Sequence, residues 1–208
     1  MAALPVDLKL SLMPGKAKPR ARQVLFVQGG GQDTHDAWDN KLVASLKRGL
    51  GSDYSVRYPR MPDESEPDAT AWKQAIAGEL KTLNDGVFVV GHSIGAAILM
   101  DYLARPTVKR RLAGVFLIAT PFIGEGGWPS EDLRPTREAA ATLRDGPQIF
   151  FYQGRDDETV PPSHVELFAA VFPQATIRRL QGRDHQLNDE LAEVAQDIQS
   201  VARNGHGA

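Results

Sequence analysis

Val87, Phe88, Val89 and Val90 run directly into Gly91-His92-Ser93-Ile94-Gly95, and an apolar helical pattern follows at once. No other stretch constrains the fold as tightly. A short, unbroken run of β-branched and aromatic residues reads as a strand buried on both faces. Beyond it, Ala96, Leu99, Met100 and Leu103 recur at helical spacing. The G-x-S-x-G between them therefore falls on a strand–turn–helix. There a turn tight enough to expose a serine needs neighbours without side chains. Ser93 is the candidate nucleophile, standing at the C-terminal end of its strand.

The rest of the chain repeats the same alternation. Strands are expected at Gln23 to Gln28, Tyr54 to Tyr58, Leu112 to Ala119, Gln148 to Gln153 and Thr176 to Leu180. Between them lie a helix with the stripe Trp38, Leu42, Leu46 and Leu50, and one capped by Asp68 with Trp72, Ile76, Leu80 and Leu83 on one face. Further helices are expected over Thr136 to Arg144 and from a capping box at Ser163 to Glu166 through Val171. A last one carries Leu191, Val194, Ile198 and Ala202. Strict β–α alternation predicts an α/β fold with a mainly parallel sheet and helices on both faces. Ligands of such sheets bind beyond the carboxyl ends of the strands.

The expected organisation is an N-terminal tail or edge strand over residues 1–21 and a single α/β domain over residues 22–208. Val6 to Leu12 could add the edge strand, while Lys16, Lys18, Arg20 and Arg22 read as a solvated basic cluster. A net charge of −2 points away from nucleic acid. No apolar run approaches the ~20 residues that span a bilayer. The absence of cysteine removes disulfides and thiolate chemistry and suits a cytoplasmic protein. No metal or other cofactor is expected, and the sequence names no protein partner.

A serine nucleophile needs a base, and five histidines are available. His92 flanks Ser93 and should pack beside the strand. His164 falls in a first helical turn and reads as a surface residue, and His206 is terminal. His35, in the loop after the first strand, is a candidate substrate contact. His185, between the last strand and the last helix, remains as the base. Asp156 and Asp157, in the loop after the penultimate strand, are the candidate acids; Asp184 reads as a turn former. The oxyanion N–H groups are expected from Ile94, at the positive end of its helix, and from Gly30 in Gly29-Gly30-Gly31. Those glycines lack the further glycine and lysine of a nucleotide-binding loop. Phe122, Ile123 and Trp128 are expected to form an apolar wall facing Trp38 and Leu187, and so to favour small or medium acyl groups.

With these residues in place, the chain resembles the α/β-hydrolase superfamily over nearly its full length. Tyr58-Pro59-Arg60-Met61-Pro62, then Glu66-Pro67-Asp68 and Trp72, make it similar to the small YdeN-type serine hydrolases. That family includes a retinoblastoma-binding protein. The resemblance implies a fold with little or no lid and a triad in the order Ser, Asp, His, here Ser93, Asp157 and His185. Asp157 precedes Val160-Pro161 by the spacing usual in that fold, which favours it over Asp156. Two departures stand out: Gln28 replaces the histidine that often precedes the oxyanion glycine, and Arg183-Asp184 replace small residues before the base. The expected activity is that of a carboxylesterase-like serine hydrolase. A non-catalytic scaffold that binds a protein or ligand, or a thioesterase or amidase using the same triad, are the alternatives.

Overall fold

In the computed structural model, which describes residues 21–108 and 110–205, six strands form one sheet. They are β1 (Arg22–Val27), β2 (Tyr54–Arg57), β3 (Val87–His92), β4 (Leu112–Ile118), β5 (Ile149–Gly154) and β6 (Thr176–Leu180). Their order is β2-β1-β3-β4-β5-β6, and every pairing is parallel. The strand at Val6 to Leu12, the cluster residues Lys16, Lys18 and Arg20, and His206 lie outside the described residues.

Alternation along each strand splits the core in two. Val24 and Phe26 of β1, with Phe88, Val90 and Phe116, face helices α1 (Asp39–Leu50) and α6 (Ala192–Asn204). Leu25, Val27, Val89, Leu117 and Phe151 face the opposite layer. That layer contains α2 (Ala69–Thr82), α3 (Ser93–Leu103), α4 (Thr136–Leu143) and α5 (Ser163–Val171). The inner strands are covered on both faces, which is why they read as unbroken apolar runs, whereas the edge strands β2 and β6 are partly exposed.

Three local expectations meet a different outcome. Helix α3 is buried on nearly all sides rather than along one stripe, because it lies between the sheet, α2 and α4. Ser163 does not cap α5: Pro162 holds the N-cap position, and Glu166 pairs with Arg179 at 2.7 Å instead of reaching back. Trp38 does not extend the buried stripe of α1. It ends a π-helical turn over Thr34–Trp38 and is half exposed. By contrast, Asp68 caps α2, accepting from the N–H of Ala71 at 2.6 Å.

The segment between β4 and α4 is a compact loop rather than an inserted domain. The N–H of Gly124 donates to the carbonyl of Trp128, that of Trp128 to the carbonyl of Phe122, and that of Thr136 to the carbonyl of Ile123. Between β1 and its two neighbours the chain order reverses, since β2 lies on one side and β3 on the other. A crevice at such a switch point is where open α/β sheets bind ligands.

Candidate active site

Ser93 occupies the sharpest turn in the crevice. Its φ is +52°, in the left-handed region, directly after extended His92. Both glycines of the motif are there for space. A Cβ on Gly91 would stand 2.7 Å from the Cα of Ala96, and one on Gly95 would stand 1.8 Å from the carbonyl oxygen of Gln28. The turn therefore closes against its own helix on one side and against the end of β1 on the other. Such left-handed strain at a non-glycine residue costs about 1–3 kcal/mol and is held by the packing around it.

The imidazole of His185 lies 3.1 Å from the Ser93 hydroxyl through Nε2, and its Nδ1 lies 2.9 Å and 3.1 Å from the two carboxylate oxygens of Asp157. Asp157 is the buried member of the acidic pair in its loop, and Asp156 is exposed. Three donors besides the imidazole's own N–H converge on it from nearby. Its Oδ1 accepts from the N–H groups of Thr159 (2.9 Å) and Val160 (2.8 Å), and its Oδ2 from the Gln153 amide (2.7 Å). Burial works against the carboxylate and is the largest influence on it. The His185 hydrogen bond and charge, with the N–H groups of Val160 and Thr159, outweigh burial and hold it below the usual carboxylate range.

The loop carrying His185 is fastened to the loop carrying Asp157. The N–H of Arg155 donates to the carbonyl of Leu180 (2.9 Å), and that of Asp156 to the carbonyl of Arg183 (3.0 Å). Beyond His185, Leu187, Asn188 and Asp189 are all left-handed, and the turn is secured by Asp184 accepting the N–H of Asn188 at 2.8 Å. Asp184 thus forms a turn, and Arg183 reaches the carbonyl of Leu187 and Glu193.

Across the crevice, Gly29-Gly30-Gly31 rests on the elbow. The N–H of Gly29 is taken by Asp39 (2.7 Å) and that of Gly31 by the carbonyl of Glu64 (2.5 Å). Between them, the N–H of Gly30 has no hydrogen-bond partner among the described residues. A Cβ on Gly30 would stand 2.8 Å from Cγ2 of Ile94 and 2.5 Å from Pro67, so the Gly30 backbone packs against the Ile94 side chain. The Tyr58-to-Trp72 stretch builds the support for this loop. Gln28 donates to Glu64 (2.5 Å) and accepts from the N–H of Met61 (3.0 Å), while Trp72 donates to the carbonyl of Pro62 (2.6 Å).

The crevice above Ser93 is a cleft of about 280 Å³, whose walls include Gln32, Thr34, Trp38, Thr159 and Gln186. Larger depressions of about 450 Å³ and about 350 Å³ lie elsewhere, near Arg22 and Arg111 and near Arg155 and Arg179. They hold no nucleophile–base pair, so chemistry rather than size marks the cleft. The aromatic wall is placed differently from the sequence expectation. Phe122 is buried against Phe168, Ile123 and Leu187 are core residues, and the rings of Trp128 and His164 meet in a T-shaped contact. Of those five side chains, Trp38 alone lines the cleft. His35 stacks on Tyr58 with ring centroids 4.2 Å apart and pairs with Asp36 rather than lining the cleft. His164 is not a surface residue: it is buried, its Nδ1 accepts the N–H of Phe122 at 2.9 Å, and burial lowers its pKa.

Asp39, Glu64 and Gln153 were not singled out from the sequence. Each is a lone polar residue, and what marks it is burial beside the site, which local patterns do not carry. Among the described residues no group of three His, Asp or Glu side chains is placed to hold a metal ion, and no helix is long and apolar enough to cross a membrane.

Residues 24–202 match the sequence model described as the alpha/beta hydrolase family. The chain belongs to that family. No curated protein matches it. Among solved structures, the ydeN gene product of B. subtilis superposes with a TM-score of 0.70 at 19% identity, covering 88% of this chain and 100% of that one. XC6422 from Xanthomonas campestris, described as a serine hydrolase without lid, gives 0.62 at 19% identity, with coverages of 94% and 87%. The esterase RhEst1 from a Rhodococcus species gives 0.62 at 18% identity, with 87% and 91%. At these identities the likeness is one of fold. In fold, this member of the family resembles YdeN.

Proposed function

We propose that this protein is a carboxylesterase-like serine hydrolase that cleaves small or medium acyl esters through Ser93, His185 and Asp157. The unbroken hydrogen-bonded chain from the Ser93 hydroxyl through His185 to Asp157 carries the reading. His185 Nε2 takes the Ser93 proton as Oγ attacks the ester carbonyl, while the N–H groups of Gly30 and Ile94 receive the developing oxyanion. The imidazolium then protonates the leaving alkoxide as the ester C–O bond breaks, giving an acyl-Ser93 ester and free alcohol. Water, deprotonated by the same nitrogen, attacks the acyl carbon, and Ser93 leaves with its proton restored. Asp157, ionised throughout, fixes the Nδ1–H tautomer and steadies the imidazolium.

The small volume of the cleft, about 280 Å³, and the exposed Trp38 on its wall support short or medium acyl groups over long lipids. The esterase among the structural neighbours supports ester chemistry. The absence of cysteine fits a cytoplasmic setting. Labelling by a fluorophosphonate probe, followed by hydrolysis of aryl esters from acetate to palmitate, tests the reading. Ser93→Ala and His185→Ala should abolish both signals, with rates peaking at short or medium chains. A well-folded protein that neither reacts with the probe nor turns over any ester would favour a non-catalytic binding scaffold. Preferred turnover of thioesters or amides would move the assignment within the hydrolases.

A further inference from the structure

Directly beneath the triad lies a second acid–imidazole pair that touches none of the reacting atoms. Asp39, the first residue of α1, is completely buried, and His92, the last of β3, nearly so. Asp39 Oδ2 accepts the N–H of Gly29 at 2.7 Å and also faces His92 Nδ1 at 3.0 Å. Its Oδ1 lies 3.0 Å from the same ring nitrogen and accepts from the Gln186 amide at 3.4 Å. On the other side of the ring, His92 Nε2 meets the carbonyl oxygen of His185 at 3.2 Å. The His185 carbonyl can only accept, so Nε2 donates to it, and Asp39 already accepts from the Gly29 N–H and the Gln186 amide, an arrangement that favours the ionised carboxylate. With Asp39 ionised, Nδ1 donates as well and the pair is an imidazolium and a carboxylate.

One ion pair thus ties together the loop after β1, the residue before the nucleophile and the loop that carries the base. A buried ion pair is a poor stabiliser, because desolvation offsets most of its attraction and an apolar replacement would do as well. What an apolar pair could not do is direct three backbones. By taking the N–H of Gly29 while Glu64 takes that of Gly31, Asp39 sets the peptide planes that leave the N–H of Gly30 unpaired beside Ile94. Gly29 itself packs closely on the pair and the nucleophile: a Cβ there would lie 3.0 Å from His92 Nδ1 and 3.2 Å from Ser93 Cβ. Through the His185 carbonyl, His92 fixes the backbone from which the base projects, with the two rings 4.9 Å apart.

We propose that Asp39 and His92 are a positioning pair that sets the oxyanion peptide and the catalytic imidazole relative to Ser93. This rests on the serine hydrolase reading. Asp39→Asn keeps the shape but gives one side of the group an NH₂. That NH₂ must face the N–H of Gly29 or the amide of Gln186, both donors. His92→Gln can keep only part of the pair's contacts.

The test measures ester turnover and fluorophosphonate labelling of wild type, Asp39→Asn, His92→Gln and the double variant, each checked for folding by circular dichroism and thermal melting. For folded variants kcat should fall about ten- to a hundredfold, the size of effect expected when catalytic groups shift by a fraction of an ångström to an ångström. KM should stay within about twofold, and the double variant should lose little more than the worse single one. Unchanged kcat, a rise confined to KM, or strictly multiplicative losses would overturn the assignment. If neither variant folds, the pair is a structural ion pair and the assignment also fails. A wild type that does not react with the probe overturns the serine hydrolase reading itself. A reactive wild type with indifferent variants overturns only the positioning pair.

Discussion

Gly154 lies directly under the backbone of Arg183: a Cβ at Gly154 would stand 2.2 Å from the Arg183 carbonyl oxygen and 2.6 Å from that of Asp184. The end of β5 and the loop after β6 thus pack with no atom to spare, and this close approach brings His185 down onto Asp157. Gly154→Ala must lift the His185 loop. We expect a loss of about 1–3 kcal/mol in stability from overpacking and a fall of ten- to about a hundredfold in kcat. Urea unfolding and ester kinetics on the same preparation check both. Wild-type kinetics in the variant would mean that the loop yields without moving the imidazole.

Replacing the buried carboxylate separates it from its exposed neighbour. Asp157→Asn leaves the His185 tautomer unspecified and should cost about 10⁴-fold in kcat. Asp156→Asn changes a solvent-facing group whose backbone, not its side chain, holds the loop, and should stay within about twofold. Steady-state kinetics of the two variants decides it, and equal losses would reassign the acid.

Gly30→Ala would press a methyl group against Ile94 and Pro67 and push the free N–H away from the cleft. Loss of one oxyanion donor costs about 10²- to 10³-fold in kcat. KM should change far less, because a ground-state carbonyl gains little from that N–H. A variant with unaltered kcat would place the second oxyanion donor elsewhere.

The Asp39–His92 pair also predicts a pH dependence of stability. For both groups burial is the largest influence and opposes the charged form, but their mutual attraction and hydrogen bonding, with the Gly29 N–H on Asp39 and the His185 carbonyl and Asp157 charge on His92, prevail. Asp39 is therefore held below the usual carboxylate range and His92 above the usual histidine range. The Asp39 contribution is present above about pH 3.9 and is lost as pH falls through its lowered folded value. The His92 contribution is complete below about pH 6.5 and is lost as pH rises through its raised folded value. The stability difference between wild type and Asp39→Asn should accordingly be largest from about pH 4 to about pH 6.5 and shrink on both sides. Urea unfolding across pH 3 to 9 measures it, and a difference independent of pH would argue against the ion pair.

A second buried pair, far from the cleft, serves as a contrast. Lys73 of α2 and Asp101 of α3 meet at 2.7 Å, both nearly inaccessible, with Arg134 3.6 Å from the same carboxylate. Asp101→Ala leaves the ammonium buried and uncompensated, at a cost of about 3–5 kcal/mol. In a chain of this size that lowers Tm on the order of 10 °C. Ester turnover at low temperature, per folded molecule, should be unchanged.

Ser93 and the order of the elements were legible because they are written locally. An apolar run, a G-x-S-x-G and a helical stripe need no partner to be read, and parallel β–α alternation then fixes which ends of the strands face the crevice. Glycine spacing announced the elbow, since only backbone crowding demands residues without side chains there. The pocket wall was not legible: Phe122 and Leu187 look like any exposed loop hydrophobics in sequence, and only packing against Phe168 and the α6 layer takes them into the core. His164 misled for the same reason, since a helix's first turn does not say which way its ring faces. Asp39 carries no sequence signature at all. Its meaning depends on Gly29, His92 and Gln186, which lie up to 147 positions away along the chain. Local physics, periodicity and steric demand at glycines, was determined by the sequence itself. Which polar groups share a buried space was decided by the tertiary structure, because desolvation and hydrogen bonding act between neighbours in space and not along the chain.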